Sequence, residues 1–120
     1  MDIVRKAKTD LKLWSEQGSL HNFQQKMYLM EAEERFCLGD FSNARVSYNK
    51  AIVASQVHRF VNDEAMAHEC AAKFYFEARN LSLSLEHFKS ACEKYQQWGA
   101  AAKAKQLHSF VKRKFLGILN

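Results

Sequence analysis

The 120-residue sequence predicts an all-α fold of about six antiparallel helices arranged as three hairpins, and three observations carry that expectation. It contains no proline and only four glycines, so the punctuation of a β-rich chain is missing. Its apolar residues recur at steps of three and four, the spacing that gathers one face of an α-helix. That pattern itself recurs: the stretch Gly39–Ile52 (GDFSNARVSYNKAI) is matched in size and polarity forty residues later by Arg79–Cys92 (RNLSLSLEHFKSAC).

The elements follow in order. Residues 3–17 (IVRKAKTDLKLWSEQ) form an expected first helix that stops at Gly18. The second runs from Asn22 to Leu38 and is ended by Gly39. The third carries Phe41, Ala44, Tyr48, Ala51, Ile52 and Ser55 on one face, with Asp40 or Ser42 as its N-cap. The fourth, Asn62–Ala78, begins with Asn or Asp as a cap and has acids in its first turn, where the helix dipole favours them. Its apolar positions are Ala65, Ala71, Ala72, Tyr75 and Ala78. The fifth presents Leu81, Leu85, Phe88, Ala91, Cys92, Tyr95 and Trp98, with Ser82 as the expected N-cap and Gly99 at its end. The sixth, over residues 103–120, is basic and amphipathic: Ala104, Leu107, Val111, Phe115 and Ile118 make its stripe, widened by Phe110 and Leu119. The whole length, 1–120, reads as a single domain.

Charge is unevenly placed. All 13 acids lie within residues 1–102, balanced there by 13 of the 18 basic residues. The excess of +5 is Lys103, Lys105, Lys112, Arg113 and Lys114. The opening MDIVRKAKTD has no apolar core of signal-peptide length, and no run approaches a membrane span. Cys37, Cys70 and Cys92 match no metal or redox spacing, and each sits in an apolar helical pattern. Buried, reduced thiols in the cytoplasm or another reducing compartment are expected.

Catalytic signals are poor. There is no Gly-rich phosphate loop, no G-x-S-x-G and no H-E-x-x-H. His68 and Cys70 point apart on their helix, and His21, His58, His87 and His108 keep no ligand spacing. The expectation is no catalytic residue, no metal and no cofactor.

The tetratricopeptide repeat is a helix–turn–helix unit with small residues where helices touch and aromatics beside them. Aligned on the Gly39-Asp40 turn, its small positions fall on Ala32, Ala44 and Ala51, with Tyr48 as the aromatic. In the next unit they fall on Ala72, Ser84 and Ala91, with Tyr75 and Phe88. The period of forty exceeds the standard thirty-four, and the usual Trp and Pro are missing. The ordered elements LKLW (Leu11–Trp14), Asn22-Phe23, EAEERFCLGDFSNARVSYNKAI, NDEAMAHECAAKFYF and YQQWGAAAKAKQL resemble the C-terminal end of the helical array in large multidomain signalling proteins with ATPase, GAF and histidine-kinase modules. That resemblance covers roughly residues 11–107, lapses at HSFVKRKFLGILN, and implies a helical scaffold without catalytic residues of its own.

The resemblance implies a tetratricopeptide-like right-handed stack, and a solenoid of this kind binds along the groove lined by the first helix of each pair. By repeat register the groove candidates are Lys26, Leu29, Met30, Glu33, Phe36, Met66, Glu69, Lys73, Phe76 and Glu77. Leu29 with Glu69, and Glu33 with Lys73, occupy positions where chaperone-binding repeats clamp a terminal carboxylate with Lys and Asn, so such a clamp is not expected. The sequence therefore reads as a non-catalytic adaptor for protein partners, a larger complex with an acidic docking surface among them. The alternatives are nucleic-acid or anionic-membrane association through the basic terminal helix, and nucleic acid is the weakest because the body is neutral.

Overall fold

The computed structural model describes residues 20–119, with side chains described for 24–116. Within them the chain forms five antiparallel helices packed in sequence: α1 (Leu20–Cys37), α2 (Phe41–Val57), α3 (Val61–Glu77), α4 (Leu81–Trp98) and α5 (Ala101–Leu119). The expected first helix, residues 3–17, lies outside the described residues. Packing is closest within the α1/α2 and α3/α4 hairpins, and α5 lies against α4.

The joints repeat every twenty residues. Gly39, Arg59, Arg79 and Gly99 each have a positive φ, between 59° and 97°. At each joint the next backbone N–H reaches back five residues: Asp40 to Arg35, Phe60 to Ser55, Asn80 to Tyr75 and Ala100 to Tyr95. These are Schellman closures, which satisfy carbonyls that a helix end would otherwise leave open. Two of the four left-handed positions carry arginine, whose Cβ crowds the backbone there. Arg59→Gly and Arg79→Gly should each stabilise the chain by about 0.5–1 kcal/mol, raising the melting temperature by a few degrees. A fall in melting temperature for both would contradict this origin of the joints.

Caps differ from expectation. Asn80, not Ser82, caps α4, accepting from the Leu83 N–H at 3.2 Å. Asp40 caps α2. Asn62 and Asp63 are no caps; α3 begins at Val61, its N-cap is Phe60 with no side-chain hydrogen bond, and Asp63 is buried instead. Trp98 departs from the expected stripe and is 57% exposed, because α4 ends there and α5 turns away after two residues.

The interior explains the alanines. α3 is shared by two apolar clusters, giving Ala67, Ala71, Phe74 and Tyr75 to one and Ala65 and Ala72 to the other. A helix contacted on several sides has to be narrow, and small residues allow neighbouring backbones to approach. Ala32, Ala44, Ala51, Ala72, Ser84 and Ala91 are all fully buried. The Ser84 hydroxyl donates to the Ala72 carbonyl at 2.7 Å, a bond that requires α3 and α4 to be close.

Candidate functional site

An apolar groove of about 470 Å³ opens across α1, α3 and α5. Phe36 comes from α1; Lys73, Phe76 and Glu77 from α3; Phe110 and Lys114 from α5; Phe88 of α4 forms part of the floor. Helical spacing places Lys73, Phe76 and Glu77 on one strip of α3. Phe76 meets Phe115 edge-to-face at 5.7 Å, and the Lys114 ammonium lies 5.4 Å from the Phe76 ring centre and 5.9 Å from that of Phe110. Such cation–ring contacts favour a lysine held over an apolar floor. The surface is thus apolar at its base, with Lys73, Glu77 and Lys114 at its edge.

Four of the ten groove positions read from the repeat line this groove: Phe36, Lys73, Phe76 and Glu77. The others do not line it. Leu29 packs on the apolar core of the first hairpin. Glu33 lies beside the Tyr48 hydroxyl and the Cys70 thiol; burial first, and then that carboxylate, push both groups' pKa values up. Lys26 approaches Asp63 at 4.0 Å, Met30 is half-buried and Met66 is exposed. Phe88, Phe110 and Lys114 were not among the groove positions, since repeat register counted only first helices and ended before α5.

Glu69 is an internal bracket. It is 9% exposed, and its Oε1 accepts from the Tyr95 hydroxyl at 2.7 Å while Lys73 and Lys103 approach Oε2 at 3.2 and 3.5 Å. Burial would raise its pKa; the tyrosine bond and the two lysines outweigh it and hold the carboxyl below its ordinary range. One acid thereby ties α3 to α4 and α5. Lys103, assigned to the basic tail, is part of that bracket, and Lys114 belongs to the groove. Lys105, Lys112 and Arg113 are exposed.

A second buried polar chain crosses from α3 to its neighbours. Gln25 donates to Asp63 at 2.9 Å, and Gln56 donates to Glu64 at 3.1 Å. Glu64 also faces Lys94 at 3.7 Å and His68 Nε2 at 3.4 Å. The Nδ1 atoms of His68 and His87 are 3.0 Å apart, so one donates and the other accepts. Their ring centres are 5.2 Å apart, which points the two nitrogens at each other, and His87 stacks on Tyr75. Among the described residues no group of three or more His, Cys, Asp or Glu side chains could hold a metal ion.

Burial lowers the pKa of both histidines; the charges facing His68 are Glu64 and Lys94, and those facing His87 are His68 and Glu86. Because the folded values lie below the ordinary 6.5, the pair's contribution to stability is complete above that pH and is lost as pH falls through the folded values. Melting temperature should be flat from pH 8 to 7 and fall as the pH drops below 6.5. His87→Gln should flatten that fall, and an unchanged profile would contradict the pairing.

The cysteines depart from expectation at one position: Cys37 is exposed, while Cys70 and Cys92 are half-buried, and all three are free. No helix among the described residues is long and apolar enough to cross a membrane.

The class defined by fold and site is an all-helical domain of sequentially packed helices bearing an apolar surface groove. No protein-family model matches the chain, and no curated protein or solved structure matches it.

Proposed function

We propose that the chain is a non-catalytic, tetratricopeptide-like scaffold that binds a protein partner in the groove between Phe36, Phe76 and Phe110. The groove is the observation that carries this reading. Its volume of about 470 Å³ suits the apolar side chains along one face of an amphipathic helix or an extended peptide. Burial of those anchors would supply most of the binding energy, while Lys73, Glu77 and Lys114 at the edge would set register and on-rate. The burial of every small and aromatic position aligned with the repeat supports the tetratricopeptide-like reading, as does the joint every twenty residues. On the same reading, the resemblance to the end of a signalling array makes the chain a connector between larger parts.

Phe76→Ala and Lys114→Glu test this reading. Phe76 is half-buried and Lys114 exposed, so both variants should keep their helicity. In a nuclease-treated pull-down from source-cell extract, each should weaken capture of the protein partner by about tenfold or more. Partners retained by both folded variants would contradict the reading.

A further inference from the structure

We infer a second docking surface, which meets the first groove at Phe88: the cleft between α4 and α5 takes an acidic amphipathic helix from another protein. This cleft of about 570 Å³ lies on the other flank of α5 from Phe110 and Lys114, walled by Leu85, Cys92, Val111, Phe115 and Leu116 over Phe88. Its walls run about two and a half helical turns along each helix, enough to seat apolar residues at i, i+3 or i+4, and i+7 of a partner helix. Leu116 stands 47% exposed at its edge.

Charge selects the partner. Helix α5 carries five cations and no acid. Lys103 is held by Glu69 and Lys114 lies over Phe76 and Phe110. Lys112 lines the cleft, and Lys105 stands two turns earlier on the same flank. Neither forms an ion pair among the described residues, and the α4 wall offers only the mixed pair Lys89 and Glu93. A helix seated there meets two exposed cations along α5, so acids on that flank are favoured. A second copy of this chain docking through α5 would set lysine against lysine. A bilayer would need a broad apolar face, whereas here the apolar atoms line a concave cleft with Phe88 only 2% exposed at its base.

The test is selection of displayed peptides of about 16 residues on the immobilised full chain, with winners measured against variants. Enriched peptides should be amphipathic with an acidic excess. Leu116→Glu, and separately Lys105→Glu with Lys112→Glu, should each cut their affinity about tenfold or more, with Glu77→Ala, in the first groove, neutral. The lysine reversals alter exposed side chains, so the fold should survive them. The inference is overturned if winners lack acidic bias, if affinity ignores both changes, or if Glu77→Ala abolishes it. It is equally overturned if nothing is enriched, including the case in which the chain floats with phosphatidylserine vesicles and loses that property in the Lys105/Lys112 variant.

Discussion

Replacing Phe74 by alanine should destabilise the domain by about 4 kcal/mol, enough to remove a large share of the stability of a small domain. Phe74 is 2% exposed, and its ring centre lies 5.4 Å from Phe36 and Phe41, 5.1 Å from Tyr48 and 5.0 Å from Tyr75. These partners come from α1, α2 and α3 itself, so one ring joins three helices. Alanine removes the ring's transfer energy and leaves a cavity that several stiff aromatics cannot easily fill. Trp98→Ala, at an exposed position of comparable bulk, should change stability by less than about 0.5 kcal/mol. Urea unfolding checks both. A loss below about 1.5 kcal/mol at Phe74 would show that the aromatic cluster is not the centre of the core.

The second large effect runs the other way, from small to large. Ala72→Leu should cost about 3 kcal/mol. Ala72 is fully buried between α3 and α4, and its carbonyl accepts the Ser84 hydroxyl at 2.7 Å. A leucine there has to push the helices apart, stretching that bond and disturbing Phe88 and Ala91 in the same cluster. Ala102→Leu, on the exposed side of α5, makes the same chemical change without a neighbour and should be nearly neutral. Equal melting temperatures for the two variants would contradict close approach as the reason for the alanines.

Much of the helical layout was legible because spacing alone assigns faces. Ala44, Tyr48, Ala51 and Ile52 fall at steps of three and four, and all are buried. The joints at Gly39 and Gly99 were legible for the same kind of reason, since glycine takes a left-handed backbone at little cost. Arg59 and Arg79 do the same work without that signature, and only the geometry reveals them.

The groove was half legible. Phe36, Lys73, Phe76 and Glu77 follow from repeat register. Glu33 and Glu69 were placed in it by the same repeat register. Their helices instead carry them against Tyr48, Cys70 and Tyr95, whose hydroxyls and thiols lie on other elements and leave no trace in local spacing. Phe110 and Lys114 were missed as groove residues for a related reason. The stripe on α5 was read as one face, whereas its two flanks line two clefts that meet at Phe88.

The most direct measurement of the scaffold reading is site-specific photocrosslinking in source-cell extract. A photoreactive residue would stand at Lys73 or Glu77, which line the groove, and at Val53, which is exposed on α2 away from it. The account predicts that positions 73 and 77 crosslink one common protein through a defined peptide and that position 53 does not. Crosslinks to that protein from position 53 alone, or no protein crosslinked from the groove positions, would contradict it.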